Sequence, residues 1–170
     1  PDECEDPQAL VHARISQALQ DLEAAAGVAV TPRDIDFSSD ARPIPTYVGV
    51  RVPVPAHLPQ DPVVRALDFL IRHRMLYDLQ DPRTELYLKR IFTDEVDVNV
   101  HFGQQKDGIP VHAAELAVHL TDDLSEVFGT GGYYLPELPD SIPPRVTVPD
   151  AEAIARAHLG YKNALVLGES

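Results

Sequence analysis

The stretch from Asp107 to Asp123, DGIPVHAAELAVHLTDD, decides between two folds for the middle of the chain. It contains His112, Glu115 and His119, which are three and four residues apart. On an α-helix this spacing would place the three side chains on one face, as the ligands of a zinc enzyme require. On a β-strand successive side chains point to opposite faces, and the set separates.

The pattern of apolar residues favours the strand. Leu116, Val118 and Leu120 point to one side and the residues between them to the other, which is typical of a sheet with one solvated face. The pair Ala113-Ala114 interrupts this alternation, as a β-bulge would. The sequence therefore predicts a strand from Pro110 to Leu120 with a bulge in its first half.

On such a strand the three side chains cannot bind one metal ion. His112 lies on the face opposite Glu115 and His119 unless a bulge intervenes. Glu115 and His119 share a face but are about 13 Å apart, at about 3.3 Å per residue, which is too far for two ligands of one zinc. We therefore expect no metal here and interpret His119 as a histidine on the sheet surface near carboxylates.

Other catalytic motifs are missing from the sequence. It has no HExxH, GxSxG, Walker or GxGxxG pattern, and the glycine-rich run GTGGYY lies between strands with no helix behind it to hold a phosphate. We expect a chain without catalytic residues or cofactors. The alternative, an enzyme that uses His112, Glu115 and His119, would require a bound metal.

The charge and the apolar content limit the partners. The net charge of -13 argues against binding to nucleic acid or to an anionic membrane, because both are polyanions. No run is apolar enough to span a bilayer, and no signal peptide begins the chain, so an exported protein would have lost its targeting segment. The single cysteine, Cys4, excludes a disulfide within the chain and a zinc site built on thiolates.

Prolines divide the chain into pieces. The sequence has 16 of them, and they cluster between residues 43 and 62 and again between residues 136 and 149. Proline lacks the amide proton and restricts φ, so these clusters indicate extended connectors. The predicted pieces are 1–59, 60–136 and 137–170.

Each piece has its own pattern of elements. The first predicts a helix over 7–26 and then a strand pair. The second predicts a helix capped by Asp61, then four short strand-like runs, ELYLKRIFT, VDVNVHFG, PVHAAELAVHL and LSEVFGTGGYYL, separated by turn residues. This order predicts an α+β fold in which the helix packs on an antiparallel four-stranded sheet. The third predicts a proline linker, a helix capped by Asp150 and the start of a strand, that is, a truncated second α+β unit.

The central run VNVHFGQQKDGIPVHAAELAVHLTDD, residues 98–123, resembles the fungalysin/thermolysin propeptide (FTP) motif of the pro-regions of secreted thermolysin-like zinc metalloproteases. Upstream, the helix, loop and first strand are similar to those of the family, and residues 137–170 are similar to the start of the PepSY domain. The family's motif places are filled by Phe102, Gln104, Gly108, Pro110, Val111, Glu115, Leu116, Val118 and His119. Two places depart from the pattern: Ala113-Ala114 replaces a usual Gly-Gly, and Lys106 replaces a common aromatic residue.

The resemblance implies a cystatin-like domain over 60–136 and a function without catalysis. Pro-regions of this family inhibit the zymogen and act as intramolecular chaperones, so the implied partner is the cognate protease domain, in cis or in trans. Zinc and calcium are expected only in that domain, and the implied localisation is secreted or cell envelope. The alternative is a free-standing exported protein-binding module of the same fold. For the partner-binding surface we predict the hairpin and the start of the linker, namely Asp107, Gly108, Ile109, Pro110, Val111, Leu135, Pro136 and Glu137.

Overall fold

The structure is a computed structural model that describes residues 7–38, 43–94, 96–138 and 146–159. The chain forms two compact units, Pro1–Leu138 and Pro139–Ser170. The helices in the described part of the first unit are α1 (Pro7–Ala26), α2 (Pro62–Arg72) and α3 (Pro82–Glu85). Its strands are β1 (Ile35–Phe37), β2 (Pro45–Val48), β3 (Val52–Pro53), β4 (Leu86–Thr93), β5 (Asp97–Lys106), β6 (Ile109–Thr121) and β7 (Glu126–Tyr133).

The strands form one antiparallel sheet with the order β1-β2-β7-β6-β5-β4, and β3 also pairs with β7. The predicted α+β class, with a helix against an antiparallel sheet, is confirmed. The predicted count of four strands is wrong, because β1, β2 and β3 from the first piece extend the same sheet to seven strands. Tyr47 pairs with Gly131 across this junction. Such a pairing between distant parts of the chain leaves no turn signal in the sequence.

The helix α2 begins as the sequence predicts. The Asp61 side chain accepts hydrogen bonds from the backbone N–H groups of Val63 and Val64, at 2.8 and 3.1 Å, and Pro62 occupies the first turn. Its buried side, which includes Ala66, Phe69 and Leu70, packs against β5 and β6, while α1 packs against β3. The core therefore lies between the helices and one face of the sheet. Its largest fully buried side chains are Tyr77, Phe69, Leu22, Leu70, Leu76, Leu116, Leu120, Gln104, Val48, Val52, Val100 and Val118.

The segment that carries the two histidines is a strand, as predicted. In β6 the side chains of Leu116, Val118 and Leu120 are buried in the core, while Glu115 and His119 face the other side. The predicted bulge is present as well. Gly103 pairs with Glu115 and Gln105 with Pro110, so residues 111–114 lie opposite Gln104 alone, and Ala113 adopts a φ of 60°.

The described part of the second unit is the helix α4 (Val148–Leu159). Its start differs from the prediction, since Thr147 and not Asp150 occupies the capping position. The Thr147 Oγ1 accepts from the Asp150 N–H at 3.3 Å, and the Asp150 carboxylate accepts from the Thr147 hydroxyl at 2.7 Å. The predicted linker at 139–145 and the strand after α4 lie outside the described residues. In the ranges that are described, no helix is long and apolar enough to cross a membrane.

Candidate functional site

The hairpin between β5 and β6 carries the first group of predicted site residues. Its two-residue loop is Asp107-Gly108, with φ values of 52° and 77°. Positive φ at both loop positions is the geometry of a type I′ turn, for which Asp-Gly is a preferred pair. Ile109 follows the loop with 60% of its surface exposed and pairs with Lys106. The local sequence thus produces a tight hairpin tip that projects from the end of the sheet.

The linker segment, residues 135–138, carries the second group and is held beside this hairpin. The side chain of Gln104 is buried, and its Nε2 donates to the Leu135 carbonyl at 2.6 Å while its Oε1 accepts from the Leu135 N–H at 3.0 Å. Lys106 Nζ donates to the Leu138 carbonyl at 3.0 Å. Two side chains of β5 therefore anchor a backbone segment more than 30 residues further along the chain. One of them, Lys106, is a position where the sequence departs from the family pattern.

A cavity of about 800 Å³ opens between the hairpin tip and the linker segment. Asp107 and Gly108 line it from one side, and Pro136 and Glu137 from the other. The structure thus brings together four of the eight predicted partner-binding residues at one place.

The other four predicted residues do not line the cavity themselves. Leu135 adjoins it through its pairing with Gln104. Ile109, Pro110 and Val111 begin β6 directly after the turn, so the structure does not bring them to the cavity.

A carboxylate and a phenol form one wall of the cavity. The Tyr134 hydroxyl donates to the Glu85 carboxylate, which also accepts from the Asp81 N–H at 2.5 Å. Burial, followed by the interaction with Glu85, raises the pKa of Tyr134 well above its ordinary range, so the hydroxyl stays protonated and remains a donor. This pair ties the end of β7 to α3.

The sequence-based prediction missed the helix α3 and placed its last residue, Glu85, at the start of the strand-like run ELYLKRIFT, although a signal for the helix exists. Asp81-Pro82 repeats the Asp-Pro pair that begins α2, and the Asp81 side chain accepts from the Arg83 N–H at 3.0 Å, as an N-cap does. The helix has four residues, which is too short for a hydrophobic period to reveal.

The cavity is lined by both charged and apolar groups. Carboxylates from Glu85, Asp107 and Glu137 and the ammonium of Lys106 stand around a cleft that is also lined by proline and leucine. Acidic groups next to apolar side chains and an anchored backbone can bind a basic and apolar segment of another protein.

Glu115, one of the residues weighed as a metal ligand, is engaged by cations from neighbouring strands. Its Oε1 lies 2.5 Å from His101 Nδ1 and 2.9 Å from Arg90 Nη2, and Lys89 Nζ also donates to the carboxylate. The hydrogen bond from Lys89, and then that from His101, hold the pKa of Glu115 below its usual value against the effect of burial. His101 and the two β4 cations were missed as partners, because they come from other strands.

His119 has a separate set of partners. Its Nδ1 donates to Asn99 Oδ1, and Asn99 Nδ2 donates to Asp97 Oδ1 at 2.7 Å. Burial lowers the pKa of His119, which favours the neutral ring. His112 is exposed on the bulged half of β6. Over the described ranges, no group of three or more His, Cys, Asp or Glu side chains is arranged to hold a metal ion.

No known family model, curated protein or solved structure matches the chain. The likeness to the pro-regions of metalloproteases therefore stays a prediction that depends on the motif residues.

Proposed function

We propose that the chain is a noncatalytic pro-region that inhibits a secreted thermolysin-like zinc metalloprotease and assists its folding. The observation that carries the proposal is the convergence of the hairpin tip, Asp107-Gly108, and Pro136-Glu137 around one open cavity. Both segments were predicted from the sequence as partner-binding, the hairpin within the motif and the linker as a proline-rich connector, although about 30 residues separate them. Such a convergence is expected if the two segments belong to one binding surface.

The proposal also assigns a cystatin-like fold to the central part of the chain. In its central part α2 packs across β5 and β6 of the antiparallel meander β4 to β7. We infer that this part is a cystatin-like domain and that α1 and β1 to β3 are an extension that enlarges its sheet. The extension supports the domain through β7, the strand that leads into the linker segment.

A chaperone and inhibitor of this kind needs a preformed surface, because binding that favours the native protease shifts its folding equilibrium by mass action. The candidate site has this property. The I′ turn restricts the hairpin tip, and Gln104 anchors Leu135, so less conformational entropy is lost on binding. Zinc and calcium belong to the protease in this proposal.

The test is an inhibition and refolding assay with the mature cognate protease. We expect the whole chain to inhibit peptide hydrolysis at micromolar concentration or below and to raise the yield of active protease after dilution from denaturant. The Gln104→Leu variant should weaken inhibition, because it releases the linker segment. Gln17→Leu is the matched control, since Gln17 lies on the exposed side of α1 and bonds Asp21 of the same helix, at 2.9 Å. No inhibition and no gain in refolding would contradict the proposal.

The alternative, a free-standing exported binding module, predicts a different coding sequence after Ser170. A pro-region should be followed in the reading frame by an HExxH motif and a further glutamate, the zinc ligands of the protease. A stop codon soon after Ser170 would favour the module. Sequencing of the transcript beyond Ser170 distinguishes the two.

A further inference from the structure

The strand β4 forms one end of the sheet. It pairs with β5 on one side, and no strand in the described ranges pairs with its other side. An edge of eight residues exposes backbone N–H and C=O groups that can pair with another chain. Natural edge strands are usually short or protected by charges or bulges, so a long edge strand that carries cations is a candidate site for the addition of a strand of complementary charge.

A bulge in β4 places two consecutive basic side chains on the same face of the strand. Leu88 pairs with Phe102 and Arg90 with His101, so Lys89 is the extra residue. Lys89 and Arg90 consequently reach the same face, where both contact Glu115.

The opposite face of β4 is apolar. Leu88 and Ile91 pair with the buried residues Phe102 and Val100, on the side of the sheet that carries the core. They nevertheless remain 47% and 41% exposed, because α2 packs over β5 and β6 and does not cover β4. The edge therefore offers an apolar strip on one face and two cations on the other.

The charge of this edge differs from that of the rest of the chain. The net charge is -13, whereas β4, LYLKRIFT, contains two basic residues and no acidic one. Glu115 is a single carboxylate shared by Lys89 and Arg90, and the side chains of these two cations are still 42% and 47% exposed. The face retains positive charge that a carboxylate could approach.

We propose that the free edge of β4 binds an extended acidic and apolar segment of a partner protein as an additional strand. The apolar side chains of that segment would lie beside Leu88 and Ile91, and its alternate carboxylates beside Lys89 and Arg90. A second copy of this chain is a poor occupant. Full antiparallel overlap of two β4 strands places Lys89 of one copy opposite Arg90 of the other, and like charges directly opposite destabilise a strand pair.

The test is a titration of the isotopically labelled whole chain with two capped octapeptides, one alternating Val and Glu and the other alternating Val and Lys. We expect saturable changes of the amide chemical shifts confined to β4 and its neighbour β5. The Val-Glu peptide should bind at least about tenfold more tightly than the Val-Lys peptide, and higher salt should reduce the difference.

Two variants and one control make the test specific. Lys89→Gln with Arg90→Gln should weaken binding of the Val-Glu peptide about tenfold, and Ile91→Asp should abolish it by disrupting the apolar face. Arg51→Gln is the control, because it removes another exposed cation, paired with Glu126 at 2.7 Å, away from β4. It should leave peptide binding unchanged. Melting curves of each variant establish that it is folded.

Three results would overturn the inference: no shift with either peptide, equal affinity for both, or shifts centred outside β4. A concentration-dependent dimer whose interface shifts map to β4 without peptide would instead identify a second copy as the occupant. The titration contains no protease, so its outcome is separate from that of the inhibition assay.

Discussion

The Gln104 side chain and the Leu135 backbone form a two-way pair, with Nε2 donating to the carbonyl at 2.6 Å and Oε1 accepting from the N–H at 3.0 Å. A side-chain amide here reproduces the pattern of a strand pair just beyond the end of β7. Gln104 is 2% exposed, so neither backbone group of Leu135 could readily exchange this partner for water. Gln104 therefore holds the first residue of the linker segment, and Lys106 holds the last.

Loss of this amide should loosen the linker segment. Gln104→Leu keeps much of the volume but leaves two backbone groups unpaired, so we expect the free energy of unfolding to fall by about 1–3 kcal/mol. Urea denaturation measures the loss, and hydrogen exchange at the Leu135 amide should accelerate. Gln17→Leu should change the stability by less than about 0.5 kcal/mol. An unchanged exchange rate at Leu135 would show that another contact holds the segment.

Gly132 should tolerate no side chain. Its φ is 135°, and a Cβ there would overlap the backbone carbonyl of Glu115 in the neighbouring strand β6. We expect Gly132→Ala to lower the free energy of unfolding by about 3 kcal/mol through strain and the loss of strand pairing.

Gly131→Ala is the matched control for this substitution. The nearest atom to a Cβ at Gly131 is the Thr46 carbonyl oxygen, at 3.8 Å, which is an ordinary contact distance. We expect its stability to stay within about 1 kcal/mol of the parent chain in the same urea titration. Equal losses for the two alanine variants would contradict the predicted clash.

The buried hydroxyl groups of Tyr77 and Thr130 should be strongly coupled in their contributions to the free energy of unfolding. The two oxygens lie 2.5 Å apart, and burial raises the pKa of Tyr77 well above its ordinary value, so the phenol stays protonated. Thr130→Val leaves this phenol unsatisfied, and we expect a loss of about 1–3 kcal/mol. Adding Tyr77→Phe should recover part of that loss, because both partners are then apolar. A double-mutant cycle measures the coupling, and additive losses would refute it.

His73 should make the chain less stable in acid. Its ring is buried against Phe69, and within the described ranges neither ring nitrogen has a hydrogen-bond partner. Burial, and then the charge of Arg72, lower the pKa of His73 from 6.5 to about 4, although Asp21 and Asp68 oppose the shift. The unfolded chain therefore binds this proton more readily than the folded chain does. The free energy of unfolding therefore decreases as the pH falls from about 6.5 towards about 4. Below about pH 4, His73 is protonated in both states and causes no further change.

The size of the acid effect follows from these two pKa values. Between pH 7.5 and pH 5 the contribution of His73 to the free energy of unfolding should fall by about 2 kcal/mol. His73→Leu should remove this part of the pH dependence, as measured by urea titrations at both pH values. His57→Gln, at an exposed position, should retain it. An identical pH dependence in the parent chain and His73→Leu would contradict the assignment.

Local patterns predicted most of the elements. The Asp61-Pro62 pair predicted the start of α2, and the alternation of Leu116, Val118 and Leu120 predicted β6 as a strand. These features arise between residues a few positions apart, so a short window contains the physics that produces them. α3 was missed because four residues contain no period, and the cap of α4 was misplaced because Thr147 and Asp150 are both competent capping residues.

The sequence alone predicted the extended backbone from Pro110 to Leu120, which lies within β6, and indicated the hairpin tip and the linker segment as a surface. The tertiary structure decided that the sheet has seven strands, that Gln104 anchors Leu135, and that the cavity opens between the two segments. It also assigned Glu115 to the cations of β4. The reason is the separation along the chain: turns and caps depend on near neighbours, whereas pairing between distant strands depends on which buried faces pack together.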